Sequence, residues 1–92
     1  MNIRVKAVME MAVILEGPEK ILDLPDGSCI RDLLDELEMR YGEPVKALLY
    51  ETKRDILQIL SVNGRSIYFL DGMDTELKEG DQIFLMPLVA GG

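Results

Sequence analysis

Histidine and tryptophan are absent from this 92-residue sequence, and cysteine occurs only once, at Cys29. A nucleophile activated by a histidine base is therefore excluded within the chain. A single thiolate without histidine cannot build a zinc site, and it cannot form an intramolecular disulfide, which suits a reducing compartment. No two carboxylates have a spacing that singles out an acid and base pair. We expect a substrate or a subunit of a reaction rather than its catalyst.

Basic residues are also scarce, with 10 lysines and arginines against 17 acidic residues and a net charge of −7. The few basic residues are scattered, so we expect no nucleic-acid partner. The sequence lacks both an apolar run of about 18 residues and a secretory signal, so we expect no membrane association and a cytoplasmic location. The acidic surface is explained either by solubility or by attraction to partners with basic docking patches.

The N-terminal third predicts a β-hairpin within a single domain. Polar and apolar residues alternate over residues 2–7, which indicates a strand with one buried face. Apolar character continues through Leu15, and Gly17-Pro18 then marks a turn. A second strand is predicted from Lys20 to Leu24, and the short connection between the two strands favours a hairpin.

A change from period two to helical spacing predicts one main helix over residues 29–41. Ser28 is the expected N-cap, because its hydroxyl can accept from the first free backbone N–H groups. Gly42 is expected to end the helix in a left-handed conformation, with Pro44 just beyond. A shorter helical turn is predicted from Pro44 to Tyr50.

The C-terminal half predicts three further strands. Leu57 to Val62 and Arg65 to Phe69 flank Asn63-Gly64, the dipeptide typical of a type I′ hairpin turn. Ile83 to Leu88 is almost continuously apolar, as expected of a central strand. This order predicts an α+β domain over residues 1–88, with a mixed sheet of four to five strands and one main helix packed on it, which is the ubiquitin-like β-grasp order.

After Leu88 the sequence continues as Val89-Ala90-Gly91-Gly92, which we expect to be a flexible tail. Two residues without Cβ atoms can enter a channel too narrow for other side chains. The chemical group at the tip is a carboxylate, which ATP can activate as an acyl adenylate for attack by sulfur to give a thiocarboxylate. The alternative is a frayed end or a cloning remnant without chemistry.

Several segments of the C-terminal half together resemble the MoaD family, the small subunits of molybdopterin synthase, and their relatives the ThiS sulfur carriers of thiamin synthesis. The resemblance is dense from about residue 57 onward and weaker before it, and Met9 to Leu15 is more apolar than the loop expected there. The segments are Ser61–Arg65, Phe69–Thr75, Lys78–Ile83 and Pro87–Gly92, supported earlier by Leu24–Gly27 and Ile30–Leu34.

The resemblance implies a non-catalytic sulfur carrier. An E1-like enzyme would adenylate Gly92 with its own ATP, no cofactor being bound by the carrier itself, and a sulfur donor protein would supply the sulfur. Gly91 shares this role with Gly92, and Val89 and Ala90 would insert with them into the larger synthase subunit. No metal ligands are expected. The expected partner-binding patch consists of Met86, Phe84, Val8 and Leu88.

Three alternatives to the molybdopterin role stay open. The chain is otherwise a ubiquitin-like modifier conjugated to lysines, a ThiS-like carrier for thiamin synthesis, or a non-covalent β-grasp adaptor. Two residues also have open roles. Met86 is either a docking residue or an ordinary core or surface methionine. Cys29 is either a reactive thiol at a helix N-terminus or a small, half-buried structural residue.

Overall fold

The computed structural model describes residues 1–50 and 60–85. These residues form a mixed sheet of five strands in the order β2-β1-β5-β3-β4. β5 is the central strand, parallel to β1 and antiparallel to β3. This confirms the predicted central position of the strand that begins near Ile83. The strands are β1 Asn2–Ala7, β2 Glu19–Asp23, β3 Leu60–Val62, β4 Arg65–Ser66 and β5 Gln82–Leu85.

Three α-helices accompany the sheet. They are α1 Met9–Ile14, α2 Ile30–Tyr41 and α3 Glu43–Tyr50, and single 3₁₀ turns occupy Ile67–Phe69 and Gly72–Asp74. Both helices expected from the sequence, α2 and α3, are confirmed to within one residue at each end. No helix in the described part of the chain is long and apolar enough to cross a membrane.

One hydrophobic core lies between α2 and the inner face of the sheet. Alternate strand residues point into it because successive side chains of a strand face opposite sides. In β5, for example, Ile83 and Leu85 are buried while Gln82 and Phe84 are only partly covered. The helix supplies four buried apolar side chains at helical spacing, Ile30, Leu33, Leu34 and Leu37.

The connection between β1 and β2 differs from the simple loop of the predicted hairpin. The two strands pair antiparallel as expected, from Asn2 opposite Asp23 to Lys6 opposite Glu19. The apolar run between them forms α1, because Met11 and Leu15 lie four residues apart and both enter the core. α1 packs against β1 and α3.

The expected N-cap of α2 is wrong by one residue. Cys29 is the N-cap, and its backbone N–H donates to the Asp32 carboxylate over 2.9 Å. The Ser28 hydroxyl instead donates to the carbonyl of Pro25 over 2.7 Å, closing the preceding turn. The other end is as predicted, since Gly42 ends the helix with φ +79° and its N–H donates to the Glu38 carbonyl.

The Asn63-Gly64 turn is confirmed, with φ +52° and +87° at its two residues. The strand predicted after it is wrong beyond Ser66, where the chain turns into the 3₁₀ segment Ile67–Phe69. The Ser66 hydroxyl accepts from the Tyr68 N–H and so caps this turn. Residues 57–59 and 86–88 of the other predicted strands lie outside the described residues.

Candidate functional site

The site expected from the sequence begins where β5 runs toward the tail. β1, β4 and β5 all run in the same direction, since β5 is parallel to β1 and both β4 and β5 are antiparallel to β3. The last residues of these strands are Ala7, Ser66 and Leu85, and they therefore lie at one end of the sheet, here called the tail end. Val89, Ala90, Gly91 and Gly92, with Met86 and Leu88, lie outside the described residues, and their roles stay predictions.

The structure describes two members of the expected partner-binding patch, Phe84 and Val8. Phe84 is half-buried on the open face of the sheet, the face away from α2, and lies opposite Lys6 on one side and Ser61 on the other. Val8 is half-buried and is the N-cap of α1, one residue after Ala7, which pairs with Leu85. Both residues therefore lie close to the point where the chain continues toward the tail.

Polar and charged side chains surround Phe84 on the open face. The Arg4 guanidinium contacts the Glu19 carboxylate across β1 and β2 with an N–O distance of 2.9 Å, and both side chains are about half exposed. Lys6 and Ser61 flank the aromatic ring in register. This surface offers an aromatic side chain within a polar frame, which suits recognition of a partner rather than catalysis.

Sequence reasoning missed a second feature of the tail end. Met9 and Val13 of α1 are 61% and 78% exposed, and Tyr68 and Phe69 are 59% and 75% exposed. The two aromatic rings pack edge to face, with centroids 5.2 Å apart and planes at 83°. The apolar run from Met9 was visible in the sequence, but a strand was predicted over Tyr68 and Phe69, and it gave no reason to expect their exposure.

Cys29 takes part in the cap of α2. Its thiol donates to the Asp32 carboxylate over 3.4 Å, in addition to the backbone donation from the same residue. The backbone N–H, then the thiol, lower the pKa of Asp32 below its ordinary value. Next to it, the hydrogen bond with Asp74 raises the pKa of Arg31. In residues 1–50 and 60–85 no three metal-ligating side chains cluster.

A five-stranded mixed sheet with one main helix across it is the β-grasp fold, which defines the class of ubiquitin-like proteins. The model of the ThiS family matches residues 8–92, so the chain belongs to the ThiS family. This confirms the resemblance seen in the sequence, and the match includes the tail.

Two curated relatives are similar to the chain. A candidate sulfur carrier protein of Archaeoglobus fulgidus is 45% identical over 31 residues, which are 34% of this chain and 35% of that protein. The matched segment thus spans about a third of that relative. Small archaeal modifier protein 3 of Haloferax volcanii is 35% identical over 68 residues, 73% of each chain.

Two solved structures extend the similarity to the whole chain. A candidate molybdopterin converting factor subunit 1 from Pyrococcus furiosus has a TM-score of 0.78 at 27% identity, covering 97% of this chain and 99% of that one. CysO of Amycolatopsis orientalis, solved in complex with BexX, has a TM-score of 0.72 at 26% identity, covering 98% and 99%. The chain is therefore a ThiS-family protein that is similar both to a sulfur carrier and to a small archaeal modifier.

Proposed function

We propose that the chain is a sulfur carrier whose Gly92 carboxylate is adenylated and converted to a thiocarboxylate, and that it donates this sulfur as the small subunit of molybdopterin synthase. The observation that carries the proposal is the family match through Gly92, on a fold whose central strand leads toward that residue. The similarity to the Pyrococcus furiosus protein over nearly the whole chain favours the molybdopterin pathway among the pathways open to this family.

The proposed chemistry has two steps, the first at a Gly92 carboxylate oxygen and the second at the Gly92 carbonyl carbon. In the first, a carboxylate oxygen attacks the α-phosphorus of ATP, giving the acyl adenylate and releasing pyrophosphate. In the second step, hydrosulfide supplied by a sulfur donor protein adds to the carbonyl carbon. The C–O bond to AMP breaks as the C–S bond forms, AMP leaves, and the thiocarboxylic acid releases a proton to give the thiocarboxylate. The ATP belongs to the E1-like partner, and the carrier itself binds no cofactor.

The carrier's own contribution is presentation of the tail. Gly91 and Gly92 lack Cβ atoms and pass a narrow channel, with Val89 and Ala90 following them into the larger synthase subunit. The partner-binding patch of Phe84, Val8, Met86 and Leu88 would dock the domain beside that channel. The partly exposed side chain of Phe84 on the open face supports this role. The complex of CysO with BexX supports docking of such a carrier on a partner protein.

The second candidate function is protein modification, in which the adenylated Gly92 forms an isopeptide bond with a lysine. The similarity to small archaeal modifier protein 3 over 73% of the chain favours it. Transfer of sulfur in thiamin synthesis, as in the ThiS carriers, shares both chemical steps with the proposal and differs only in the acceptor. A non-covalent adaptor would need neither step.

The deciding experiment is the intact mass of the untagged protein purified from its native cells. The proposal predicts a species in which one oxygen has become sulfur, located in the C-terminal peptide and consumed by thiol-specific alkylation. Oxidation of any of the six methionines adds nearly the same mass, so the peptide must be located and the alkylation must succeed. The mass of this peptide also shows whether Gly92 is the last residue.

The acceptor is then identified with the thiocarboxylated protein. Sulfur transfer to a pterin precursor, in the presence of a larger synthase subunit, supports the molybdopterin role. A plain carboxylate accompanied by larger lysine-linked conjugates contradicts the carrier proposal and favours the modifier. Transfer only to a thiamin precursor leaves the carrier chemistry in place and overturns the molybdopterin pathway.

A further inference from the structure

Two exposed apolar groups stand on opposite sides of the strand that leads to the tail. Met9 and Val13 belong to α1, and Tyr68 and Phe69 belong to the 3₁₀ segment after β4. Each of these side chains is more than half exposed. Among residues 1–47 and 60–85, whose burial the structure describes, only two other large apolar side chains are comparably exposed, Ile21 and Met39.

The sheet topology places both groups at the tail end. β1 ends at Ala7, opposite Leu85, and α1 begins two residues later. β4 ends at Ser66, and its partner in β3, Ser61, is also the partner of Phe84. Strands in a sheet are about 5 Å apart, so α1 begins one strand from β5 on one side and the aromatic pair begins two strands away on the other.

These side chains are not needed to complete the core. The core already contains a buried residue from every helix and from four of the five strands. Tyr68 and Phe69 follow the fully buried Ile67, so only the first residue of this turn packs inward. Exposed aromatic and methionine side chains are the types enriched in protein interfaces, and here they lie on the segments that follow β1 and β4 at the tail end.

We propose that Met9 and Val13 on one side and Tyr68 and Phe69 on the other form a tail collar that docks on an apolar surface around the channel entrance of the adenylating enzyme. This inference rests on the proposed function. The enzyme is the expected occupant because adenylation comes first whether the acceptor is a sulfur nucleophile or a lysine. An acyl adenylate reacts with water, and an apolar seal around the tail excludes water from it.

Charge further defines the partner surface. Glu10 and Glu16 are exposed beside the α1 half of the collar, and Asp71 is exposed beside the aromatic half. With a net charge of −7 for the whole chain, an apolar surface bordered by lysines or arginines is complementary to this end. The collar shares no residue with the patch that contains Phe84. It consists of segments that have left the sheet, whereas Phe84 lies on the open face of the sheet.

The test measures ATP–pyrophosphate exchange with the adenylating enzyme of the source organism, as a function of carrier concentration. Two double variants remove the halves of the collar, Met9→Ser with Val13→Ser and Tyr68→Ser with Phe69→Ser. The matched control combines Ile21→Ser with Met39→Ser, which are 60% and 81% exposed and lie outside both collar segments. We expect each collar variant to raise KM for the carrier about tenfold, with kcat within about twofold and the control unchanged.

Binding measured by calorimetry gives a second readout that does not need the chemistry. A chain lacking Gly91 and Gly92 should still bind the enzyme through the collar, and replacement of both collar halves in that chain should abolish the binding. Circular dichroism and thermal unfolding show that each variant is folded, so that a loss of binding is not a loss of structure.

The outcomes separate the two proposals. If wild-type protein supports exchange and the collar variants match it, the collar is overturned while adenylation of Gly92 stands. If collar and control variants raise KM equally, the collar is also overturned, because the effect is then not specific to the collar residues. If wild-type protein supports no exchange at all, the proposed function itself fails and the collar proposal fails with it.

Discussion

The two ends of the sheet differ in the side chains that surround them and in the contacts that these side chains make. The turn end, where β1 and β5 begin and Asn63-Gly64 joins β3 to β4, is closed by hydrogen bonds within the chain. The Asn63 side chain donates to Asp81 and accepts from the Gln82 N–H, each over 2.9 Å. Asp81 also accepts from the Lys78 N–H over 2.8 Å, and Glu79 accepts from the Asn2 N–H. Polar groups at this end therefore find partners inside the molecule.

The tail end is apolar and open by contrast. Its exposed side chains, Met9, Val13, Tyr68 and Phe69, lie on segments that have just left the sheet. Met9 also has φ +54°, an unfavourable value for a residue with a Cβ atom. The comparison indicates that the turn end stabilises the domain, whereas the tail end leaves apolar side chains exposed that, in the collar proposal, a partner covers. Four changes separate these two roles.

Removal of Gly92 should have the largest effect, and only on chemistry. The shortened chain would present its carboxylate one residue too early for the catalytic groups of the adenylating enzyme, and we expect ATP–pyrophosphate exchange to fall to background. Because Gly92 lies beyond every described element, the midpoint of urea unfolding should stay unchanged. A chain extended by one alanine after Gly92 moves the carboxylate in the opposite direction, and its ATP–pyrophosphate exchange should also fall to background. Full exchange by either chain would contradict the assignment of the reacting carboxylate.

Asn63→Ala should weaken the turn end. The substitution removes the hydrogen bonds with Asp81 and Gln82 and places a Cβ-bearing residue without a local hydrogen bond at φ +52°. Together these losses should lower the free energy of unfolding by about 2 kcal/mol. Exchange at saturating carrier concentration should be unchanged, because this turn lies at the opposite end from the tail. Asn63→Gly removes the same hydrogen bonds, but glycine adopts the positive φ without steric cost, so its free energy of unfolding should fall less. Equal losses in the two variants would show that the positive φ does not contribute to the loss in Asn63→Ala.

The predictability of the two ends from the sequence differs for a physical reason. At the turn end, local chemistry determines the structure, since Asn63-Gly64 alone specifies a tight turn with two positive φ angles. The helical spacing of α2 and the glycine that ends it are equally local. The N-cap was misplaced by one residue because Ser28 and Cys29 can both accept a hydrogen bond, and the choice depended on Asp32 and on the bridge between Cys29 and Glu76.

At the tail end, the sequence predicted neither α1 nor the 3₁₀ segment after β4, although it supports a prediction for the chemistry of Gly91 and Gly92. α1 was missed because a strand that continues as an apolar run gives no local signal for a turn of helix, and the burial of Met11 and Leu15 depends on long-range packing. The strand predicted through Phe69 failed because Tyr68 and Phe69 favour strands by composition, whereas the Ser66 hydroxyl caps a 3₁₀ turn. Exposure of these side chains could be seen only in three dimensions.

Met9→Gly should separate stability from docking at the tail end. Glycine accepts φ +54° without steric cost, which offsets the added freedom of the unfolded chain, so we expect the protein to gain about 0.5 kcal/mol in unfolding free energy. The same substitution removes one member of the collar and should raise KM for the carrier in adenylation. Asn63→Gly is the control for KM, since Asn63 also has a positive φ, +52°, but lies at the turn end. A stabilised Met9→Gly variant with unchanged KM would contradict a docking role for this side chain.

Asp32→Asn should give the smallest effect, visible only in its pH dependence. Hydrogen bonds from the Cys29 backbone and thiol hold the pKa of the Asp32 carboxyl below its ordinary value of 3.8 in the folded protein. A lowered folded pKa means that the unfolded chain binds the proton more tightly, so the stabilisation is complete above the ordinary pKa and is lost as pH falls through the folded pKa. The stability difference between wild type and Asp32→Asn should therefore be present at about pH 6 and shrink toward about pH 2.5, as measured by urea unfolding. Because this carboxylate is fully exposed, water screens its interactions and the difference stays small.

Asp35→Asn makes the same change of charge one turn away from the cap and tests whether the difference comes from the cap itself. A pH-independent difference for Asp32→Asn would show that α2 is held at this end by its contacts with residues 75–77 and not by the capping carboxylate.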